Sequence, residues 1–271
     1  MGSLIRGIDC HAHVFLRSLP RIPNARYEPT QDAPIQDYLR LLDTYKLAGG
    51  VLVQPSFLGT DNTFLLDAVA MAPERLKAVA VVEHDAPPDM LDNLEKRGVV
   101  GVRLNFIGNR APALKDVMTP RLIDDVVRRG WHIEVQAEGA YWPQLLPDLL
   151  QTGARLVIDH FGRPDRTHGP NCAGFQSLCA AARNHDIWFK LSAPYRFNQV
   201  HAVACASALL EAAGPDHLVW GSDWPWTQHP EVTDYGETLR WLEVWIPDKA
   251  VRDRILCENP CRLFGFLFAH R

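Results

Sequence analysis

Short runs of β-branched and other apolar residues alternate along the chain with longer stretches whose apolar positions recur at helical spacing. The runs are Ile8–Val14, Gly50–Gln54, Ala78–Val82, Gly101–Asn105, His132–Gln136, Arg155–His160, Ile187–Ser192 and Leu218–Asp223. The stretches between and after them predict helices over Asp37–Leu47, Thr63–Met71, Asp89–Lys96, Arg121–Arg129, Pro143–Gln151, Phe175–Asn184, Val200–Ala213, Glu231–Trp245 and Lys249–Cys257. Asp61 and Asn62 offer an N-cap for the second helix, and Gly49, Gly98, Gly130 and Gly153 stand where C-caps fall. Strand followed by helix, eight times over, predicts an α/β fold: a single (β/α)8 TIM barrel over residues 1–271 with right-handed crossovers. An open doubly wound sheet is the competing arrangement, but no Gly-rich dinucleotide loop follows any strand.

One segment breaks the alternation. Arg17–Pro34 carries Pro20, Pro23, Pro29 and Pro34 and is irregular throughout. Loops longer than about 15 residues inside a compact domain are usually functional or disordered. After the first strand of a barrel this one would lie across the active-site mouth as a lid.

With 271 residues, 47% of them hydrophobic and 22% charged, the chain can bury one large core. A net charge of −4 with no basic stripe argues against a nucleic-acid partner. No apolar run approaches the roughly 18 residues of a membrane span, and Arg6 stands where a myristoylation signal needs Ser or Thr. The six cysteines (10, 172, 179, 205, 257 and 261) include no CxxC pair and read as reduced thiols, so a cytoplasmic protein is expected. The terminal Leu263–Phe268 run reads as a docked helix or a subunit contact, leaving monomer and homodimer both open.

Chemistry in a barrel collects at the C-terminal ends of the strands. The first run ends Asp9-Cys10-His11-Ala12-His13, and period-two alternation puts His11 and His13 on one face with Cys10 and Ala12 on the other. The sixth ends in Asp159-His160 and the eighth in Ser222-Asp223. His11, His13, His160 and Asp223 thus come from three strands and can converge on one point. Trp224 and Trp226 flank the aspartate and could wall a pocket for a flat ring. Arg103 alternates with Val102 and Leu104 and points inward, where a guanidinium must be paired or meet an anion.

The motifs HAH (11–13), DHFGRP (159–164) and WGSDWP (220–225) together resemble the amidohydrolase superfamily. VQPSFLGTDN (53–62), GVRLN (101–105) and KLSAPYR (190–196) resemble its metal-independent lactonase branch, nearest the 2-pyrone-4,6-dicarboxylate lactonases. The six motifs fall in order between Asp9 and Pro225. The resemblance implies a hydrolase that opens a small anionic lactone, converting 2-pyrone-4,6-dicarboxylate to an oxalomesaconate-type product. It also implies that Arg103, Arg110, Arg196, Ser56 and Tyr27 bind the dianion. Arg163, just after His160, is open between ligand contact and structural bridge.

A catalytic zinc needs at least three protein ligands and an open position. His132 lies at the wrong end of the fifth run and Gln136 takes its mouth, so no metal is expected, with zinc on His11, His13, His160 and Asp223 as the alternative. Lys190 and Glu134 are expected to form an interior ion pair. Without a metal, Asp223 would be the general base that activates water, and His11, His13 and His160 would aim donors at the lactone carbonyl. The rival functions are hydrolysis of an aldonolactone or a sulfonated muconolactone, a zinc-dependent decarboxylase, and a non-catalytic anion-binding barrel.

Overall fold

The eight apolar runs form eight strands: β1 (Ile8–Ala12), β2 (Gly49–Val53), β3 (Leu76–Ala80), β4 (Val99–Asn105), β5 (His132–Gln136), β6 (Arg155–Ile158), β7 (Ile187–Leu191) and β8 (Leu218–Trp220). They come from a computed structural model that describes residues 7–23, 25–108 and 112–267. Each strand pairs in parallel with the next in sequence order, from β1 through β8. The ring closes just past β8, where the Asp223 amide donates to the His11 carbonyl (2.8 Å) and the His13 amide donates to the Trp224 carbonyl (2.8 Å). This is the barrel the alternation predicts. The closing seam joins the two segments that carry His11, His13 and Asp223.

Helices α1 (Ile35–Thr44), α2 (Thr63–Ala70), α3 (Pro88–Lys96), α4 (Pro120–Arg128), α5 (Trp142–Gln151), α6 (Ala173–Ala182), α7 (Ala202–Ala213) and α8 (Tyr235–Trp245) surround the strands. Short α9 (Lys249–Asp253) and α10 (Asn259–Phe264) follow. α4 shows the local logic: Pro120 occupies the first turn and the Thr119 hydroxyl accepts from the Leu122 amide (3.2 Å). Inside the barrel Ile8, Cys10, Val51, Val53, Val79, Val157 and Val219 form an apolar layer with Trp188. Leu263, Phe264 and Phe266 join that cluster, so the carboxy-terminal run docks as a plug on the barrel floor. Among the described residues, no helix is long and apolar enough to cross a membrane.

Three local expectations need correction. Cys10 does not face away from His11: the β1–β2 register shifts between Asp9 and Ala12, and Cys10 joins the interior cluster. Gly49 is not a cap but the first residue of β2, where an added Cβ would lie 2.1 Å from the Arg75 carbonyl oxygen. Asn62 does not cap α2 through its side chain, which instead bonds Val81 on both sides (2.8 and 3.2 Å), while the Asp61 carboxylate takes the Thr63 amide (3.1 Å). The described residues of the Arg17–Pro34 segment lie over the mouth as expected, held by the Phe15–Ala33 bridge and by the Gln31 amide on the Pro225 carbonyl (3.2 Å).

Candidate active site

Backbone strain marks the place where the site assembles. His160, Phe161 and Arg163 after β6, Ala193 after β7, and Asp223, Trp226 and Gln228 after β8 all adopt positive φ. Residues other than glycine avoid that region at a cost of about 1–2 kcal/mol each and gather at functional sites when they do occupy it.

His11, His13, His160 and Asp223 meet as the sequence predicts. Asp223 Oδ1 lies 3.6 Å from His11 Nε2, 3.8 Å from His13 Nε2 and 3.8 Å from His160 Nε2. Its other oxygen, Oδ2, is held by the Tyr195 hydroxyl (2.6 Å) and by Arg196 Nε and a terminal nitrogen (both 2.7 Å). Burial alone would push the carboxyl pKa up, but Arg196 and then His160, His11 and His13 outweigh it and hold Asp223 well below the usual carboxylate range. The residue is therefore ionised, with Oδ1 buried and free of any hydrogen bond among the described residues.

The imidazoles are not equivalent. His13 Nδ1 lies 2.7 Å from the Val53 carbonyl, which only accepts, so that nitrogen carries the hydrogen. Burial, followed by the charges of His11 and Arg103, holds the His13 pKa well below its ordinary value. Its Nε2 is thus a lone pair 3.2 Å from His11 Nε2, and His13 is an acceptor rather than the donor expected from the sequence. Buried His160, kept neutral mainly by desolvation, bonds Ser192 Oγ through Nδ1 (2.8 Å) and leaves Nε2 free.

Beneath these groups lies a fully buried charge layer. Lys190 Nζ contacts His11 Nδ1 (3.0 Å) and Asp159 Oδ1 (3.4 Å) and bonds the Glu134 carboxylate, which makes the expected ion pair. Asp159 Oδ1 also lies 3.1 Å from His11 Nδ1. Asp9 accepts from the Ser222 amide (2.9 Å), the Ser222 hydroxyl (2.6 Å), the Tyr235 hydroxyl (2.7 Å) and the His11 amide (3.1 Å), which ties β1 to the Asp223 turn. Asp9, Asp159 and Tyr195 are buried or bonded partners of the converging groups that sequence reasoning did not single out. Asp159 and Tyr195 sit inside motifs already singled out, beside His160 and Arg196, and Asp9 stands two residues before His11.

The pocket at the mouth is lined by His13, Arg26, Tyr27, Ser56, Arg103, Asn105, Gln136, His160, Arg196, Asp223 and Thr227. The space these side chains enclose is only about 10 Å³, the room of a single water, so a ring enters only as the side chains at the mouth part. Ser56 and Tyr27 fall on this wall as predicted, and Tyr27 packs edge-on against Phe57. Arg103 lines it too, yet its guanidinium is engaged by Asp159 (3.0 Å) and the Gln136 side-chain oxygen Oε1 (2.9 Å). Arg163 pairs with Glu138 (3.1 Å) on an adjoining cavity that it shares with Arg196. Arg110 lies outside the described residues. Trp224 stacks on Tyr38 away from the pocket, and Trp226 lines the outer cleft.

His11, His13 and Asp223 present three ligand atoms within 4.8 Å of one another, with the free His160 Nε2 close by. A set of two or three imidazoles and a carboxylate, two of its atoms buried without partners, fits a zinc-type ion. The ligand count that strand five left short is met here without it.

The buried histidines also set a pH response. His13, His132 and His160 all have lowered pKa values, with burial as the largest cause. As pH falls below about 6.5 the unfolded chain takes up protons that the folded chain refuses, so stability is full above that value and declines below it. Asp9, raised by burial, acts in the opposite sense nearer the carboxylate range. The Tm of metal-free protein is expected to fall from about pH 7.5 to about pH 5.5; a flat or rising Tm over that interval contradicts the assignment.

The amidohydrolase family model matches residues 8–266. A 4-sulfomuconolactone hydrolase from Rhizobium radiobacter is 33% identical over 96% of this chain and 90% of its own length. A crystal structure from Acinetobacter baumannii, described as a 2-pyrone-4,6-dicarboxylic acid hydrolase with citric acid bound, is 38% identical with a TM-score of 0.92, covering 96% of this chain and 100% of that one. One from Pseudomonas putida, also described as a 2-pyrone-4,6-dicarboxylic acid hydrolase, is 37% identical with a TM-score of 0.90, covering 98% and 99%. With a family match over nearly the whole barrel and these relatives beside it, the chain belongs to the amidohydrolase family.

Proposed function

We propose that this protein is a hydrolase that opens a small anionic lactone, with 2-pyrone-4,6-dicarboxylate as substrate and an oxalomesaconate-type acid as product. One observation carries the reading: an ionised carboxylate oxygen, Asp223 Oδ1, stands free among three imidazole nitrogens in a pocket edged by guanidinium groups. Water held there attacks the lactone carbonyl and passes its proton to Asp223 Oδ1. His160, with Ser192 on Nδ1, presents Nε2–H to the developing oxyanion. The ring C–O bond then breaks, and the departing oxygen takes the proton back from Asp223. One water is added in all. His11 Nε2–H donates to the His13 Nε2 lone pair, so the pair is satisfied within itself and walls the site beside Asp223 Oδ1 rather than polarising the carbonyl.

A zinc ion, where bound, would be held by His11, His13, His160 and Asp223 and would supply a Lewis acid. The steps above call on the chain's own groups, and we propose that they suffice without an ion: an enol-type leaving group makes the pyrone ester reactive enough for a carboxylate base. We also place the protein in the cytoplasm, a reading supported by six free cysteines, and propose that it acts as a monomer or homodimer.

Removing the His160 donor is expected to lower kcat by about 10²–10³-fold, as loss of an oxyanion-hole donor does elsewhere. A His160→Ala variant within threefold of wild type contradicts that role. The substrate is tested by comparing kcat/KM for 2-pyrone-4,6-dicarboxylate, 4-sulfomuconolactone and a neutral aldonolactone. The pyrone is expected to lead, and the aldonolactone to trail by orders of magnitude. Preference for the sulfonated ring keeps the mechanism and moves the substrate.

A further inference from the structure

Among the described residues Arg26, Arg103 and Arg196 line the pocket and Arg163 the cavity beside it, and these guanidinium groups differ in one respect. Arg103 has Asp159 (3.0 Å), Arg163 has Glu138 (3.1 Å) and Arg196 has Asp223 (2.7 Å). Arg26, in the segment over the mouth, forms no ion pair among the described residues; its hydrogen bond goes to a neutral amide, Gln228 Oε1, at 3.2 Å. It lines the polar pocket with His13 and Asp223 and the outer cleft beyond, so it stands at the entrance of one and the floor of the other.

Three loops meet on this side chain. The guanidinium lies over the Tyr27 ring (5.1 Å to the centroid) and reaches Gln228 in the loop after β8. Its stem passes Gly108 in the loop after β4, where an added Cβ would stand 3.2 Å from Arg26 Cδ. Gly108 has φ of +81°, so the absence of a side chain there serves both the turn and the close passage of the arginine. Burial lowers the Arg26 pKa, Arg196 and Arg103 add to that effect, and Tyr27 and the more distant Glu138 carboxylate oppose it without reversing it. A half-buried cation facing two others is unfavourable until an anion joins it.

We infer that Arg26 is a specificity-determining residue, the uncommitted cation that closes the lid segment onto a second anionic group of the substrate. The paired arginines offer hydrogen bonds but little net charge, whereas Arg26 gains an opposite charge only when a dianion enters. A ring with one carboxylate satisfies the pocket floor and leaves Arg26 on Gln228. A ring with two carboxylates placed meta draws it inward. The inference deepens the lactonase reading and rests on it for the identity of the ring, but not for the charge being read.

Isothermal titration with two unreactive rings separates these claims. Benzene-1,3-dicarboxylate is expected to bind wild type more tightly than benzoate. Arg26→Ala is expected to weaken the dicarboxylate at least about tenfold, the order for one charge-assisted hydrogen bond, while benzoate changes less than about twofold. Arg26→Lys is expected to fall between, keeping the charge without the planar fork. Equal loss for both rings, no loss for either, or failure of wild type to bind the dicarboxylate overturns the inference. Discrimination that depends on Arg26 in a protein inactive on every lactone would uphold it and reject the lactonase reading.

Discussion

Asp223→Asn is expected to lower kcat by about 10³–10⁴-fold with KM changed only a few-fold, the upper part of the range for a lost general base. The substitution is nearly isosteric. The amide oxygen can still accept from Tyr195 and Arg196, which hold Oδ2 from one side, so the residue should remain seated. The position now occupied by the free Oδ1 would then carry an NH2 group facing three imidazole nitrogens, with no lone pair to take a proton from water. Because Asp223 is ionised far below neutrality, wild-type activity should show no acid limb from this carboxylate above about pH 5. Stopped or initial-rate kinetics of the purified variant decide the matter, and kcat within tenfold of wild type removes Asp223 from the role of base.

Lys190→Met is expected to produce the largest loss of stability. Lys190, Glu134, Asp159 and His11 are all fully buried, and Lys190 Nζ is the cation common to the other three. Without it, Glu134 and Asp159 are left to Arg103, which reaches Asp159 at 3.0 Å and Glu134 only at 3.4 Å. Breaking a buried charge pair by deleting one partner costs about 3–5 kcal/mol. In a chain of this size that lowers Tm by about 10 °C or more. His11 also loses the ammonium at Nδ1, so activity should fall together with stability. The double variant Lys190→Met/Glu134→Leu should recover part of the Tm, because removing both members of a pair costs less than removing one. A single variant that melts within about 2 °C of wild type would show that the layer contributes little.

Much of this fold is legible in the sequence because parallel strands buried on both faces read as continuous apolar runs. The convergence of His11, His13, His160 and Asp223 is legible for the same reason: strand ends in a barrel share one face. The misreadings have physical causes. Strict alternation placed Cys10 opposite His11, but the register shift in β1 turns both inward. Gly49 carries no sign that the Arg75 carbonyl passes where its side chain would be. The donor role given to His13 depended on a hydrogen, and the Val53 carbonyl, forty residues away, decides where that hydrogen sits. The arginines are the clearest case. The sequence marks Arg103 and Arg196 as cations near the mouth, but whether a charge is already matched by Asp159 or Asp223 is set by packing between strands distant in sequence. Arg26 escaped notice because a lid arginine looks like any exposed charge until its neighbours are known.

The central claim is that this pocket opens an anionic lactone with its own carboxylate and imidazoles. Its most direct test is the decay of pyrone-ring absorbance when chelator-treated protein, verified by elemental analysis to hold far less than one metal per chain, is mixed with 2-pyrone-4,6-dicarboxylate. The account predicts rapid decay at a rate unchanged by added zinc. Silence that zinc reverses would contradict it and give His11, His13, His160 and Asp223 to a metal.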